Sequence, residues 1–109
     1  MPLEFTAIDR RDPEGNVSVV GIPLQAHEYI MLAAHDLDLK LLSRLDDYWK
    51  DTAYKSDELD QLRMEVAQVR QSLSPQGPEV DLMADLFTGM DLVITSAQRV
   101  GGYVEAIAD

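Results

Sequence analysis

The alternation of apolar and polar residues at the N-terminus predicts a β-hairpin. Apolar residues stand at positions 3, 5 and 8, and residues 17–22 are rich in β-branched side chains. Between these stretches, Pro13 and Gly15 suit a turn, because proline fixes a negative φ and glycine accepts a positive one. Two strands alone are only marginally stable in water. We therefore expect the hairpin to pack on helices.

Apolar residues at helical spacing follow from residue 24 and predict a first and a second helix. The first helix should begin after Pro23, since the missing N–H of proline costs nothing at a helix start. It should end near Asp36, because an acidic residue at the C-terminal end opposes the helix dipole. The second helix is predicted over residues 41–51, and residues 52–55 break the pattern as a loop.

A third helix is predicted over residues 57–73, where apolar residues recur at steps of three and four. Ser56 is a suitable N-cap, and the acidic residues that follow it lie near the positive end of the helix dipole. The helix should end at residues 74–78, because this stretch contains two prolines and a glycine.

A fourth helix is predicted over residues 79–100, with two adjacent apolar stripes. An apolar arc of this width is typical of a helix at the centre of a core, or of one that buries a side in a partner chain. Gly89 lies in the second stripe, where glycine costs about 1 kcal/mol, so we expect a neighbouring helix to approach closely there. Gly101 and Gly102 should end the helix and leave residues 103–107 as a short docked tail.

Together these elements predict one mainly helical α+β domain, in which an N-terminal β-hairpin packs on about four helices. The domain covers residues 1–109, with the hairpin in 1–22, three helices in 24–73, and the long C-terminal helix and tail in 79–109. The last two helices are joined by a short loop, so they should form an antiparallel helical hairpin.

Charge adds a functional expectation to this fold. Twenty Asp and Glu residues oppose nine Lys and Arg residues, a formal net charge of −11, although 46% of the chain is apolar. Disordered acidic segments lack that apolar content, so we expect a folded protein with a strongly negative surface. Such a surface repels nucleic acid and anionic membranes and attracts basic partners.

Several classes of protein and site are not supported by the sequence. There is no cysteine for a disulfide, a thiol nucleophile or a Cys-based zinc site. The N-terminus does not have the basic and apolar regions of a signal peptide, and no apolar run approaches the length of a membrane span. The expectation is a soluble cytoplasmic protein that does not bind a membrane.

Catalytic and metal-binding motifs are also missing. His27, Glu28 and His35 do not have the spacing of a helical zinc motif, so no metal is expected, and any role of the two histidines stays open. The acidic pairs lie on polar helix faces or in first turns, where a carboxyl is not expected to have a raised pKa. No nucleophile elbow or phosphate-binding loop occurs. We expect a protein that is not an enzyme and needs no cofactor.

The candidate binding site is the acidic and aromatic segment 46–60, which holds three of the seven aromatic residues of the chain. Aromatic anchors surrounded by charge are typical of binding hot spots, and carboxylates bind Lys and Arg. The loop residue Tyr54 is predicted to be exposed, whereas Tyr48 and Trp49 could be core or interface, with core favoured for Trp49. The predicted partner-binding residues are Asp46, Asp47, Asp51, Tyr54, Asp57, Glu58 and Asp60.

Residues 42–49 and 54–62 resemble small acidic bacterial immunity proteins of polymorphic toxin and contact-dependent inhibition systems. The shared features are a helix, a short aromatic loop, and Ser-Asp-Glu-Leu at the start of a further helix. The resemblance implies an immunity protein or antitoxin whose acidic surface covers the basic, often nuclease, active site of a toxin. The alternative is a small secretion chaperone or adaptor that forms a homodimer through the wide apolar arc of 79–100.

Overall fold

A computed structural model describes residues 3–47, 50–72 and 79–108 of the protein. Tyr48, Trp49 and the predicted linker 74–78 lie outside the described residues. Within the described part, the chain forms four strands, three α-helices and two short 3-10 helices. In chain order these are β1 (Leu3–Asp9), β2 (Asp12–Ile22), α1 (Leu24–Asp36), a first 3-10 helix (Leu42–Asp46), β3 (Thr52–Tyr54), a second 3-10 helix (Ser56–Glu58), α2 (Leu59–Ser72), α3 (Glu79–Arg99) and β4 (Tyr103–Ile107).

The four strands form one antiparallel sheet in the order β2-β1-β4-β3. The predicted N-terminal hairpin is present as β1 and β2, in which Phe5 pairs with Val20. Its predicted turn is wrong, because the chain turns at residues 10–11 and both Pro13 and Gly15 lie within β2. On its other side Phe5 pairs with Ala106 of β4, so β1 and β4 are the two inner strands. The α+β class is confirmed, but the described residues contain three α-helices rather than about four.

Two of the predicted elements are wrong in type. The second helix is only the 3-10 helix Leu42–Asp46, and the predicted loop at 52–55 contains β3. Leu42 and Leu45 are buried, and their spacing of three fits one turn of a 3-10 helix as well as it fits an α-helix.

The predicted tail is β4, in which the buried Val104 and Ala106 alternate with half-buried residues, as in a strand with one covered face.

The predicted end of the C-terminal helix is confirmed, and two glycines are needed there. Gly101 adopts a φ of 65°, in the left-handed region that favours glycine, and the N–H of Gly102 donates to the carbonyl of Ala97 at 2.9 Å. This arrangement is a Schellman-type helix end. A Cβ on Gly102 would lie 1.9 Å from the carbonyl oxygen of Ile8 in β1. The absence of a side chain therefore lets the chain turn from α3 directly into the sheet.

Helix α3 covers one face of the sheet and contacts β1, β2, β4 and α2. Residues of both predicted stripes are buried there: Leu86, Phe87, Met90, Val93, Ile94 and Ala97. A Cβ on Gly89 would lie 2.9 Å from Cγ2 of Val20. The expected close approach at this glycine is present, but the neighbour is strand β2 and not a helix.

Helices α2 and α3 are antiparallel, as expected for the helical hairpin. The Nε of Arg63 donates to Asp91 at 2.7 Å, and the Nε2 of Gln98 donates to Asp60 at 2.6 Å. Contacts of 60 with 98 and of 63 with 91 mean that the two chains run in opposite directions. The start of α2 is thereby attached to the end of α3, next to the turn into β4.

Candidate functional site

The six predicted carboxylates lie along the segment that connects the first 3-10 helix, β3 and the start of α2. We call these residues the acidic edge: Asp46, Asp47, Asp51, Asp57, Glu58 and Asp60. Arg44 joins the parts of this segment, since its guanidinium binds Glu58 at 3.1 and 2.5 Å and its carbonyl accepts the Thr52 hydroxyl at 3.3 Å. Five of the six acidic residues are exposed, and Glu58 is half-buried. Only Lys50 and Lys55 oppose them between residues 46 and 60, so the segment has a formal charge of −4.

Three of these carboxylates also attach the acidic edge to other elements. Asp51 accepts the N–H of Ala108 at 2.8 Å, just beyond β4. Asp46 contacts the Nε2 of His35 on α1 at 3.0 Å, and Asp60 binds α3 as described above. The acidic edge is therefore held by contacts with α1, α3 and the end of β4, so the carboxylates of Asp46, Asp51 and Asp60 have a defined orientation.

The pair formed by Arg44 and Glu58 sets the ionisation of the half-buried carboxylate. Hydrogen bonds from Arg44, and then from the N–H of Lys55, lower the pKa of Glu58 below its ordinary value. The same side-chain hydrogen bond raises the pKa of Arg44. The predicted N-cap role of Ser56 is wrong, because Ser56 is the first residue of the second 3-10 helix and Lys55 is at the N-cap. Glu58 reaches back to the Lys55 N–H at 3.0 Å instead.

The prediction that Tyr54 is an exposed hot spot is wrong. Tyr54 is fully buried, at 0% exposure, and its hydroxyl donates to the carbonyl of Leu41 at 2.7 Å. As a residue of β3 it lies on the sheet face covered by the helices, with its ring centroid 6.4 Å from that of Phe5. Tyr54 belongs to the core and not to the binding surface. The predicted roles of Tyr48 and Trp49 stay predictions, because both lie outside the described residues.

Glu65, a buried carboxylate on α2, was missed by the sequence analysis. It is only 2% exposed, and its Oε1 accepts the N–H groups of Leu41 and Leu42, each at 3.0 Å. These are donors at the start of the first 3-10 helix, so Glu65 caps that helix from a distant part of the chain. The available signal was its position between Leu62 and Val66, on the apolar stripe of its own helix. Its acceptor contacts indicate a structural role.

The two histidines of α1 both contact the first 3-10 helix. His27 is buried and its Nε2 donates to the carbonyl of Leu45 at 2.5 Å, while His35 contacts Asp46 at the end of the same helix. A carbonyl can only accept, so Nε2 of His27 carries a proton. Both rings thus fasten this helix to α1. Among the described residues, no group of three or more His, Asp or Glu residues could hold a metal ion.

A second surface feature is an open groove of about 690 Å³ between α1 and α3. We call it the α1–α3 groove, and its lining residues are Gly21, Pro23, Gln25, Ala26, Glu28, Tyr29, Leu32, Met83 and Leu86. Six of the eight large hydrophobic residues that are exposed in the described part of the chain lie within residues 17–37. Two of these six residues, Tyr29 and Leu32 of α1, line the groove.

The comparisons with known proteins add no relative. Neither the protein-family models, nor the curated proteins, nor the solved structures contain a match to this chain. Among the helices that are described, none combines the length and the apolar character that crossing a membrane requires.

Proposed function

We propose that this protein is a non-catalytic binding protein that uses its acidic edge to bind a basic protein partner. The class that fits best is an immunity protein or antitoxin, which would cover the basic active site of a toxin. The observation that carries the proposal is the acidic edge itself: six carboxylates with a segment charge of −4, attached to three other elements of the fold.

The carboxylates that attach the acidic edge to the fold can still accept hydrogen bonds from a partner. A carboxylate has about four acceptor positions, and Asp46, Asp51 and Asp60 each use part of theirs in the contacts described above. The remaining positions point to solvent on exposed side chains and can accept Lys or Arg of a partner. Because these three carboxylates are already oriented, less conformational entropy is lost when the partner binds.

The burial of Tyr54 changes the expected character of binding. Without this aromatic anchor, charge supplies a larger share of the recognition, and charge acts mainly on the association rate. Exposed charges are screened within about 8 Å at physiological ionic strength. We therefore expect the association rate with the partner to fall steeply as the salt concentration rises.

The alternative function, a dimeric secretion chaperone or adaptor, loses the feature that suggested it. Its basis was an apolar arc on 79–100 larger than one small core could absorb. Among the apolar stripe residues of α3 whose burial is described, all but the half-buried Met83 are buried, and α3 contacts the sheet and α2 of the same chain. A homodimer through α3 is therefore no longer needed to explain the sequence.

The test is a charge reversal at the acidic edge against a matched reversal elsewhere. The basic partner is recovered from the native host, or taken as the product of the neighbouring gene, and its association rate is measured at several salt concentrations. The edge variant carries Asp46→Lys and Asp57→Lys, and the control carries Asp12→Lys and Asp85→Lys, which are also exposed. We expect a loss of about tenfold or more in association rate for the edge variant alone. Equal losses in both variants, or a rate that does not respond to salt, would contradict the proposal.

A further inference from the structure

We propose that the α1–α3 groove is a second binding surface, and that it takes a basic amphipathic helix of a partner protein. The surface is distinct from the acidic edge, and the proposal does not depend on the function assigned to that edge. It rests on the shape of the groove, the exposure of its apolar lining and the distribution of charge around it.

The walls of the groove are helical surfaces. On α1 the lining residues run from Gln25 to Leu32, which corresponds to two turns and about 10 Å at 1.5 Å per residue. On α3, Met83 and Leu86 are three residues apart and form the opposite wall. When two helices pack, the side-chain ridges of one fit into the grooves between the ridges of the other. A volume of about 690 Å³ is within the range of natural binding pockets, and it suits the apolar stripe of a short helix.

Two large apolar residues of the lining, three positions apart on α1, are exposed to solvent. Leu32 is 69% exposed and Tyr29 is 46% exposed, whereas on the opposite wall Leu86 is buried and Met83 is half-buried. Contiguous exposed apolar surface marks interaction sites. A partner helix placed on Tyr29 and Leu32 would remove this surface from water.

The charge around the groove selects the chemistry of the occupant. Residues 15–27 contain no Asp, Glu, Lys or Arg, so apolar side chains can approach this side without removing water from a charged group. Among the described lining residues Glu28 is the single charged one, and the whole chain has a net charge of −11. A helix with flanking Lys and Arg is attracted by this field, while an acidic helix is repelled. A second copy of the chain is repelled as well, because it carries the same −11.

The experiment uses a synthetic peptide of about 18 residues, long enough to form a helix on binding, with leucine at helical spacing and lysine elsewhere. A second peptide has glutamate in place of lysine. Binding to the full chain is measured by calorimetry at about 0.01 M salt, where the Debye length of about 30 Å leaves the field of the chain largely unscreened. Leu32→Ser removes an apolar wall residue, and Met64→Ser is the control, because Met64 is 58% exposed on α2 outside the groove.

We expect the leucine-lysine peptide to bind, Leu32→Ser to weaken its Kd by about tenfold or more, and Met64→Ser to leave it within about twofold. The glutamate peptide should not bind, and the acidic-edge variant with Asp46→Lys and Asp57→Lys should retain most of its affinity. The proposal is overturned if no peptide binds, if both peptides bind equally, or if Leu32→Ser behaves like Met64→Ser. It is also overturned if sedimentation shows a dimer of the chain that Leu32→Ser abolishes, because the occupant would then be a second copy.

Discussion

The hydroxyl of Tyr54 makes a buried contact whose contribution can be isolated by a single-atom change. Tyr54→Phe removes the donor to the Leu41 carbonyl, at 2.7 Å, and leaves the ring in place. That carbonyl also accepts the N–H of Arg44 at 3.2 Å, so it does not lose all of its partners. The free energy of unfolding at pH 7 should therefore fall by about 1 kcal/mol, at the lower end of the cost of a lost buried hydrogen bond. Tyr54→Ala also leaves a cavity and should cost about 4 kcal/mol.

The same residue predicts how this difference depends on pH. Burial raises the pKa of Tyr54 above its ordinary value of 10.0. Above pH 10 the unfolded chain loses this proton while the folded chain keeps it, so the free energy of unfolding falls by up to about 1.4 kcal/mol per pH unit. Tyr54→Phe has no such proton. The difference in free energy of unfolding between the wild-type chain and Tyr54→Phe should therefore shrink as the pH rises past 10 and should vanish at about pH 11.

The assay is urea denaturation followed by far-UV circular dichroism, at neutral pH and through the alkaline range. Tyr103→Phe is the matched control, because Tyr103 is only half-buried, and it should change the free energy of unfolding by less than about 0.5 kcal/mol. The reasoning is refuted if Tyr54→Phe is neutral at pH 7, or if its deficit stays constant up to pH 11.

Three further predictions concern stability. Glu65→Ala should lower the free energy of unfolding by about 3 kcal/mol in urea denaturation, because two buried N–H groups lose their acceptor. Glu65→Gln keeps an acceptor oxygen and should lower it by less than half as much. Equal losses in the two variants would contradict the capping role. Gly89→Ala should lower the free energy of unfolding by about 1 kcal/mol despite its gain in helix propensity, because its Cβ would lie 2.9 Å from Val20. In a Val20→Ala background the same substitution should instead stabilise the protein. Thermal melts of the wild-type chain, the two single variants and the double variant measure both effects. The lowered pKa of Glu58 contributes stability above the ordinary pKa of 4.5 that is lost as the pH falls through the lowered value. Arg44→Gln should remove the larger part of this acid dependence, less than about 1 kcal/mol because the pair is partly exposed, and an unchanged loss of stability in acid would argue against the pair.

Local patterns predicted the parts of the fold that are determined locally. The β1–β2 hairpin, the bounds of α1 and the antiparallel pair of α2 and α3 follow from strand alternation, the position of Pro23 and helical spacing. The hairpin turn does not, because Pro13 and Gly15 lie within β2. Strand β3 has three residues, which is too few for an alternation to be recognised. Strand β4 has both of its partners far away in the chain, and nothing within residues 103–107 indicates which strands it joins.

The sequence predicted the exposed acidic residues of the candidate site, but not the contacts that attach the site to the rest of the fold. Acidic residues on polar positions are exposed, as expected, because ionised carboxylates are rarely buried. The prediction that Tyr54 is exposed depended on its segment being a loop. Because the segment forms β3, the side chain must lie on one face of the sheet, and it lies on the covered face. Glu65 was missed because its acceptors become necessary only when the first 3-10 helix is placed against α2. Both residues depend on contacts between segments, which a linear pattern does not contain.

The position of β4 between β1 and β3 has a consequence for the order of folding. During synthesis on the ribosome, β1 and β2 can pair as soon as they emerge, but the second neighbour of β1 is made nearly a whole chain length later, since Phe5 pairs with Ala106. Until then the inner edge of β1 is an open strand edge, which can pair with other chains. Such long-range pairing also slows folding, because a large loop must close before the contact forms. The open edge of β1 is thus exposed to misassociation until β4 has been synthesised, and the four-stranded sheet becomes complete only then.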